Sequence, residues 1–306
     1  MNTKHYDVIV LGAGPAGLTA GIYLSRAKMK TLLLNEGMIG GQVVLTHEVA
    51  NYPGVENISG YQLATSMKKQ ALSFGCEIKQ NIKVSKLDLS STTKTVHVGD
   101  DIFTANAIII ATGGRSRELH VTGEDSFKGR GISYCATCDG DFYTGKDIIV
   151  VGGGNSALEE AVALTTYAKT VTIVHQFDHF QAFDHAVEMA KKNKKIHFIL
   201  QSQITGFYGD EKLQHVKIKN LKDNTISEKS IDGVFILIGY QPNSEKFTEH
   251  ANINQYGEIP TDLKMATNVP GVFAAGDIRE KQIRQITTAV SDGTIAAINA
   301  IEHIQK

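Results

Sequence analysis

The residues best suited to chemistry in this sequence are two cysteines, Cys135 and Cys138, separated by two residues. A Cys-x-x-Cys pair forms a readily reduced disulfide, and thiol pKa values are commonly lowered in this motif, which raises the fraction of nucleophilic thiolate. A structural zinc or iron–sulfur site needs about four soft ligands, and only one such pair occurs among the three cysteines. The spacing therefore favours thiol–disulfide exchange over metal binding, and we predict no metal site.

Asp139 follows the pair directly and carries a carboxyl group that can pass a proton to a departing sulfur, provided that its surroundings raise its pKa. A helix-capping carboxylate with no proton role is the alternative interpretation. The third cysteine, Cys76, stands alone, as is typical of a small buried hydrophobic residue, and receives no role. The candidate catalytic residues are therefore Cys135, Cys138 and Asp139.

A dinucleotide-binding fingerprint near the N-terminus predicts the first element that must position a cofactor. An apolar strand over residues 7–11 runs into a glycine turn, a helix to about Arg26 and a second strand over 31–34 that ends at Asn35-Glu36. The first glycine permits the tight turn, the second lets the pyrophosphate approach the backbone, and the third allows close helix packing. Asn35 or Glu36 is the residue expected to bind a ribose hydroxyl. The turn reads Gly12-Ala13-Gly14-Pro15-Ala16-Gly17.

The same pattern recurs in the middle of the chain. A strand over 147–151 precedes the turn at 152–157, a helix-like run over 158–168 and a strand over 170–174. One glycine turn alone can be no more than a tight strand–helix connection, but two in the same context predict two nucleotide-binding units. One of the two sites can still be vestigial.

Two apolar strands followed by glycine predict where the chain passes between these units. They are 107–110, followed by Ala111-Thr112-Gly113-Gly114, and 234–237, followed by the turn at 238–242. The predicted fold is α/β, with two Rossmann-like domains of three-layer ββα type and the second inserted into the first. The first domain comprises residues 1–114 and 245–306, and the inserted domain, which carries the cysteine pair, comprises residues 115–244.

Composition excludes other classes of protein. The number of Lys plus Arg residues (31) nearly equals that of Asp plus Glu (32), so the protein has no net positive charge to attract a polyanion. We therefore expect no nucleic acid partner. The apolar runs are far shorter than the roughly 20 residues of a membrane helix, and the first residues do not resemble a secretion signal. These features, with the few cysteines, predict a cytoplasmic protein with no membrane partner.

With these motifs in order, the chain resembles the low-molecular-weight thioredoxin reductases over nearly its whole length. The match is carried by residues 12–17, 40–42 with 51–54, 135–140, and 276–277 with 284–285. The resemblance implies FAD in the first domain, thioredoxin as the disulfide substrate and a homodimer. It also implies that Cys138 receives electrons from the flavin and that Cys135 attacks thioredoxin. Taken alone, Asp277 after Gly276 and Asn51 before Tyr-Pro-Gly are equally compatible with turn formation.

The predicted FAD-binding residues combine the fingerprint with the positions that the resemblance implies. Asp277 is expected to bind the ribitol of the flavin, and Gln42, Asn51 and Gln285 are expected around the isoalloxazine or its tail. The full set is Gly12, Gly14, Pro15, Ala16, Gly17, Asn35, Glu36, Gly41, Gln42, Asn51, Ala111, Thr112, Gly113, Gly276, Asp277, Arg284, Gln285 and Ile286.

The second nucleotide unit departs from the family pattern. Members that use NADPH carry a His-Arg-Arg type segment after the second strand, and those guanidinium groups bind the 2′-phosphate. Here residues 175–183 read His-Gln-Phe-Asp-His-Phe-Gln-Ala-Phe, which contains no Arg or Lys, and Asp178 would repel a phosphate. His175, His179 and His185 invite a metal interpretation, but without a carboxylate cluster nearby solvated loop histidines are favoured.

In lacking these arginines, the chain resembles the ferredoxin-dependent flavin thioredoxin reductases. This resemblance predicts reduced ferredoxin as the electron donor. Plant-type ferredoxin near −400 mV and thioredoxin near −270 mV differ by about 130 mV, or roughly 6 kcal/mol for two electrons, so this donor is strong enough. An NADH-dependent, or weakly NADPH-dependent, thioredoxin reductase is the nearest alternative. A flavin-dependent dithiol oxidase and a nucleotide-binding sensor without turnover are further alternatives.

Overall fold

The computed structural model describes residues 2–46 and 49–306, and these divide into two compact units. Unit 1 comprises residues up to Arg115 and from Gln241 onwards, and unit 2 comprises Ser116–Tyr240. Each unit has a parallel sheet of buried apolar strands with helices on one face and antiparallel strands nearby. This arrangement agrees with the predicted α/β class.

Unit 1 is built on a seven-stranded sheet in the order β3-β2-β1-β6-β5-β4, with β17 paired to β6. Strands β1, β2, β3, β6 and β17 are parallel, whereas β4 and β5 add antiparallel to the edge of β6. The elements of unit 1, with the last two following unit 2 in the chain, are β1 Asn2–Leu11, α1 Pro15–Arg26, β2 Thr31–Asn35, α2 Gly60–Ser73, β3 Glu77–Gln80, β4 Val84–Asp88, β5 Lys94–Val98, β6 Asp101–Ile110, β7 Gly114–Ser116, β17 Val272–Ala274 and α7 Ile286–Gln305.

Helices α1, α2 and α7 cover one face of this sheet, and β4, β5 and the loops around Phe247 cover the other. The central strands are apolar on both faces, because a parallel sheet is buried on both sides. Residues 8–10 and 108–110 are accordingly fully buried. Ser59 and Gln62 form a capping box that starts α2. The sheet thus holds the carboxyl ends of β1 and β6 at fixed positions, next to each other.

Unit 2 repeats this plan on a smaller scale, with a five-stranded parallel sheet in the order β11-β10-β9-β15-β8 and a three-stranded antiparallel sheet β12-β13-β14. Helices α5 and α6 pack on one face, and the antiparallel sheet packs on the other. The elements of unit 2 are α3 Glu124–Phe127, β8 Ile132–Ser133, α4 Ala136–Asp139, β9 Asp147–Val151, α5 Asn155–Leu164, β10 Thr170–Val174, α6 Asp184–Lys192, β11 Ile196–Ile199, β12 Ser202–Gly209, β13 Leu213–Asn220, β14 Ile226–Ser230, β15 Gly233–Ile236 and β16 Tyr240–Pro242.

Helix α5 ends at Leu164, four residues earlier than the sequence pattern predicts. The hydroxyl of Thr165 donates a hydrogen bond to the carbonyl oxygen of Val162 at 2.6 Å, and a second β-branched residue, Thr166, follows. Threonines disfavour a continuing helix, because their side chains compete for backbone partners. The apolar residues at 164 and 168 are both buried, which explains why the pattern alone extends the helix too far.

The chain passes between the units at β7 and β16, which pair as a two-stranded sheet. The second crossing lies near residue 240, within the turn at 238–242 and before the expected domain boundary at 244–245, because residues 241–244 belong to unit 1. The Asn243 amide nitrogen donates to the Gly113 carbonyl oxygen at 2.9 Å, and the Asn243 side chain donates to the Thr112 carbonyl oxygen at 2.8 Å. Among the described residues, no helix is long and apolar enough to span a membrane.

Candidate active site

The cysteine pair lies at the start of α4, immediately after the short strand β8. A disulfide joins Cys135 to Cys138, with the two Cα atoms 5.3 Å apart. Cys135 is the N-cap of α4, and Cys138 lies within the helix. Unit 2 therefore presents the predicted pair in its oxidised form, in the state that accepts two electrons.

Asp139 ends α4 and is held by a residue that sequence reasoning missed. The Ser133 hydroxyl donates a hydrogen bond to Asp139 Oδ2 at 2.5 Å, and the Cys135 amide donates to the same Ser133 oxygen at 3.1 Å. Burial raises the pKa of Asp139, and the bond from Ser133 opposes this effect. Asp139 makes no side-chain cap to the short 3-10 helix that follows it. The carboxyl group thus has the raised pKa that a proton donor to sulfur needs.

Glu160 of α5 is a second carboxyl group at the pair and was not predicted. Its Oε2 accepts the Ala136 amide hydrogen at 3.2 Å. Burial raises the pKa of Glu160 as well, and the bond from Ala136 opposes the shift. A signal was present in the sequence, since residue 160 lies three after Ala157 and four before Leu164, on the buried face of α5.

The first glycine turn has the geometry that a dinucleotide requires. Gly12 adopts φ +106°, and a Cβ there would lie 2.3 Å from the Ala111 carbonyl oxygen. A Cβ on Gly17 would lie 1.9 Å from the Gly12 carbonyl oxygen, so helix α1 packs directly on the turn. At Gly14, by contrast, a Cβ would meet nothing within 4 Å. The open space at Gly14, the N-cap of α1, is where the fingerprint predicts the pyrophosphate.

Asn35 and Glu36, the two candidates at the end of β2, point to different partners. Asn35 Oδ1 accepts the Ala13 amide hydrogen at 2.9 Å, which ties the end of β2 to the glycine turn. Glu36 Oε1 instead accepts the Val84 amide hydrogen at 2.9 Å and forms an ion pair with Lys246. Asn35 therefore lies beside the turn, while the Glu36 carboxylate is engaged at the start of β4.

Two further predicted residues border the turn. Gly41 packs against it, since a Cβ on Gly41 would lie 3.3 Å from Gly14 Cα. Ala111 lies at its floor, and its amide donates to the Leu11 carbonyl oxygen at 2.7 Å. Pro15 and Ala16 form the first turn of α1. The structure thus brings residues from three strand ends together around Gly14.

Gly276 and Asp277 approach the same turn from the end of β17. A Cβ on Gly276 would lie 2.9 Å from the Ala16 Cβ, so this glycine packs against the start of α1. Asp277 Oδ1 is buried and has no hydrogen-bond partner among the described residues. Burial raises the pKa of Asp277, whereas Lys281 and Arg284 lower it. A buried carboxylate oxygen without a partner fits a ligand hydroxyl group.

A buried ion cluster that sequence reasoning missed supports Gly276. Asp292 of α7 accepts the Gly276 amide hydrogen at 3.1 Å and forms ion pairs with Lys281 at 2.7 Å and Arg279 at 3.4 Å. The Asp292 and Lys281 side chains are each only 8% exposed. An aspartate within an otherwise largely apolar helix was the available signal.

The remaining predicted residues of unit 1 lie in several different places. Asn51 Nδ2 donates to Gln285 Oε1 at 3.1 Å, so these two side chains meet as expected of a shared site. Arg284 forms an ion pair with Glu258, and Ile286 begins α7. Gln42 is exposed in a 3-10 helix, Gly41–Leu45. Thr112 and Gly113 bind Asn243 at the crossing between units.

The second glycine turn has kept its backbone, and a neighbouring segment of the chain borders it. Gly152 adopts φ +144°, and a Cβ there would lie 2.3 Å from the Leu237 carbonyl oxygen. The Gln181 amide donates to the Gly153 carbonyl oxygen at 2.8 Å, and the Phe183 amide donates to Asn155 Oδ1 at 2.8 Å. Residues 181–183 therefore lie along the turn.

His175 stands where a nucleotide site needs an acidic or cationic residue. Its ring is buried against Gly153, where a Cβ would lie 2.4 Å from it, and burial lowers the pKa of His175. Asp178 is exposed and forms an ion pair with His179 at 2.7 Å, which holds the pKa of Asp178 below its usual range. Among the described residues, no group of three or more His, Cys, Asp or Glu is arranged to hold a metal.

Comparison with known proteins agrees with this architecture. The sequence pattern of the pyridine nucleotide-disulphide oxidoreductase family matches residues 6–293. A Clostridium pasteurianum protein described as a "34.2 kDa protein in rubredoxin operon" is 47% identical over 98% of both chains. A thioredoxin reductase of Listeria innocua is 44% identical over 99% of this chain and 95% of its own. The crystal structure of a thioredoxin reductase from Streptococcus pyogenes superposes with a TM-score of 0.95, at 39% identity and 98% coverage of both chains.

The fold and the paired cysteines thus define a flavin-dependent disulfide oxidoreductase. The chain belongs to the pyridine nucleotide-disulphide oxidoreductase family, and its resemblance to the low-molecular-weight thioredoxin reductases is confirmed. The predicted fold class and the cofactor FAD are confirmed with it. The open space at Gly14 and the unpartnered Asp277 oxygen fit that cofactor.

Proposed function

We propose that this protein reduces the disulfide of thioredoxin with electrons from reduced ferredoxin, which pass through FAD to the Cys135–Cys138 pair. The full-length similarity to thioredoxin reductases supports the substrate. The observation that carries the choice of donor is the segment 175–183, which offers no cation to the 2′-phosphate of NADPH. FAD, when bound, accepts electrons from the donor and passes a pair of them to the disulfide.

Unit 1 supplies the groups that would hold FAD. The backbone around Gly14 and the start of α1 would take the pyrophosphate, since amide groups at a helix N-terminus bind anions. Asp277 Oδ1 would accept a hydrogen bond from the ribitol. Asn51 and Gln285, which contact each other, would border the isoalloxazine. At the end of β2, the Asn35 side chain bonds at both ends within unit 1, to the Ala13 amide and the Gly37 carbonyl oxygen. The contacts of Glu36 with Val84 and Lys246 both use Oε1, so Glu36 Oε2 would accept the ribose hydroxyl.

The reduced pair would exchange its electrons with thioredoxin in two steps. Cys135 thiolate attacks one sulfur of the substrate disulfide, forms a mixed disulfide and releases one substrate thiolate, which takes a proton. Cys138 thiolate then attacks the Cys135 sulfur, which restores the Cys135–Cys138 disulfide and releases the second substrate thiol. Asp139 would give a proton to a departing sulfur, a role that the raised pKa of its buried carboxyl group supports.

The charges around the second glycine turn support the choice of donor. Each lost charge-assisted hydrogen bond to a 2′-phosphate costs about 1.5–3 kcal/mol, so two lost contacts weaken NADPH binding by about two orders of magnitude or more. Asp178 is ionised at neutral pH, because its hydrogen bond with His179 and, to a smaller extent, the nearby Lys222 lower its pKa. Its negative charge would repel the 2′-phosphate of NADPH. A ferredoxin delivers single electrons, so two molecules are needed for each disulfide. The Clostridium pasteurianum relative, whose description places it in a rubredoxin operon, offers a parallel link to an iron protein.

Anaerobic stopped-flow mixing of the oxidised holoenzyme with NADPH, NADH and reduced ferredoxin tests the donor. We expect fast bleaching of the flavin by ferredoxin and slow bleaching by micromolar NADPH. Fast bleaching by NADPH contradicts the proposal. Fast bleaching by NADH alone would assign the NADH-dependent reaction instead, because NADH lacks the phosphate that the segment cannot bind.

A double variant, Gln176→Arg with Phe177→Arg, supplies the matched control for that argument. Both side chains are exposed and follow His175 directly, at the positions of the missing guanidinium groups. The variant should bind NADPH at least about tenfold more tightly than the wild type, with no change for NADH. Equal gains for both nucleotides would show that the phosphate is not what the segment discriminates.

The proposal includes a cytoplasmic homodimer, as the resemblance implies. Light scattering coupled to size-exclusion chromatography of the holoenzyme measures the mass directly. A monomer at micromolar concentration would contradict this part of the proposal and leave the reaction untouched.

A further inference from the structure

Glu160 is a charged residue at the redox pair to which neither the family motifs nor the reaction above assigns a role. It lies on the face of α5 that carries buried Ala157, Ala161 and Leu164, whereas its neighbour Glu159 is exposed. Helix α5 packs on α4, and Glu160 Oε2 accepts the amide hydrogen of Ala136, the residue that follows Cys135. A carboxylate is thus kept within the turn that joins the two cysteines.

The amide that Glu160 binds matters because backbone donors in a Cys-x-x-Cys turn favour thiolate over thiol. The Cys135 amide is already bonded to the Ser133 oxygen, and the Ala136 amide is bonded to Glu160. A negative charge in a partly desolvated place raises the cost of a second negative charge nearby. Glu160 therefore disfavours a cysteine thiolate in two ways. It occupies the Ala136 amide, which could otherwise donate to a thiolate, and its negative charge repels a thiolate.

We propose that Glu160 is a positioning residue for the redox pair: its carboxylate holds the Ala136 amide between the cysteines, and its charge opposes thiolate formation after reduction. This inference rests on the reactive role of the pair in the proposed function. The test of this inference uses neither thioredoxin nor an electron donor. The inference can therefore fail while the proposed function holds, and the proposed function can fail while the inference holds.

The other ionisable groups around Glu160 are few. On its own helix Glu159 raises the pKa of Glu160, and on α4 Asp139 shares the pair's surroundings. Tyr143, beyond α4, is half-buried, and desolvation raises its pKa to about 12, so it stays neutral. Asp147, at the start of β9, accepts a hydrogen bond from Thr170 and forms an ion pair with Lys169. It lies at the opposite end of the strand from the glycine turn. The ionisable residues of α6 are all exposed: Asp184, His185, Glu188, Lys191 and Lys192.

Alkylation of the dithiothreitol-reduced holoenzyme by iodoacetamide, followed from pH 5 to 10, measures the acidity of each thiol. Mass spectrometry separates Cys135 and Cys138 from buried Cys76, whose pKa burial raises to about 11. Glu160→Gln keeps an acceptor for the Ala136 amide but removes the charge. We expect the pKa of the faster-reacting thiol to fall by about 1. Since a more acidic thiol is also less nucleophilic, alkylation below that pKa should accelerate about three- to fourfold.

Glu159→Gln is the matched control, because it removes the same charge from an exposed position one residue away, and its profile should follow the wild type. If Glu160→Gln follows the wild type too, or alkylates more slowly below the pKa of the thiol, the proposal is overturned. Should Glu160→Gln not fold, the profiles of two cysteine variants decide. In Cys135→Ser and Cys138→Ser, where no second thiol of the pair titrates, a carboxylate coupled to the remaining thiol makes the rate rise in two inflections, which an added Asp139→Asn should preserve; a single-pKa curve overturns the proposal.

Discussion

The two units contain the same turn, but they surround it with different groups. In unit 1 the Gly40 amide donates to the Ala13 carbonyl oxygen at 2.7 Å, and in unit 2 the Gln181 amide donates to the Gly153 carbonyl oxygen at 2.8 Å. Asn35 and His175 stand at the same distance along the chain from the first glycine of each turn. Asn35 hydrogen-bonds to its turn, whereas His175 packs its ring on the corresponding residue.

The difference shows that the backbone of a nucleotide site can persist after its side chains have changed. In unit 1, Gly41 leaves the space beside Gly14 free of a side chain. Asp277 Oδ1 is buried there without a hydrogen-bond partner among the described residues. Unit 2 places Gln181 and Ala182 in the corresponding segment and has no arginine or lysine there. Turn geometry therefore predicts the fold of both sites, while the surrounding side chains decide what each can bind.

The largest expected effect separates redox chemistry from cofactor binding. Cys135→Ser and Cys138→Ser should each abolish thioredoxin reduction while the protein keeps about one FAD per chain, because the pair lies in unit 2 and does not build the flavin site. Cys138→Ser should accumulate a mixed disulfide with thioredoxin, detectable by non-reducing electrophoresis, since the resolving sulfur is gone. A mixed disulfide with Cys135→Ser instead would reverse the two roles.

Valine substitution in each turn tests whether only unit 1 holds the flavin. Gly14→Val should reduce the FAD content to near zero, because the side chain occupies the open space that the pyrophosphate needs, while the fold persists. Gly154→Val is the equivalent change in unit 2 and meets only the Gln181 carbonyl oxygen, at 3.9 Å. It should leave the flavin absorbance unchanged. Equal flavin loss from both variants would remove the distinction between the units.

Among the described residues, the buried ion cluster of unit 1 has no counterpart at His175, and loss of the cluster should be costly. Asp292→Ala leaves Lys281 buried without its carboxylate partner, which typically destabilises a protein by about 3–5 kcal/mol. It also removes the acceptor of the Gly276 amide, so FAD should dissociate more readily. Urea unfolding and flavin release measure the two effects. Glu302→Gln, an exposed change on the same helix, is the control, and a similar loss there would refute a specific role for Asp292.

The smallest expected effect is a pH dependence of stability from unit 2. Burial lowers the pKa of His175 below its unfolded value of about 6.5, so the unfolded chain binds the proton first as the pH falls. Stability is therefore complete above that value and declines below it, until the pH passes the folded pKa. His175→Phe should reduce the fall in melting temperature between pH 7 and 5.5. His179→Gln, at an exposed site, should not, and an unchanged fall in His175→Phe would exclude His175 as its source.

Much of the fold could be predicted because its signals are local. Buried strands appear in the sequence as short apolar runs, and each glycine turn needs particular residues at closely spaced positions. The cysteine pair was identifiable for the same reason, since two residues of spacing suffice to join the sulfurs. Helix ends were less certain, and α5 stops at Thr165 because a local hydroxyl bond competes with the apolar pattern.

The partners of the site residues were decided only by the tertiary structure. Ser133 is only six residues from Asp139, but it meets Asp139 because the chain turns there from β8 into α4. Glu160 at Ala136 and Asp292 beneath Gly276 join residues that are 24 and 16 positions apart. The same holds for Glu36, whose carboxylate is engaged by Val84 and Lys246. The sequence by itself thus determined the fold class, the cofactor turn and the reactive sulfurs, because these depend on residue type and short spacing. Burial and charge around them arise only when separate strands and helices pack together, and these set the protonation of the carboxyl groups.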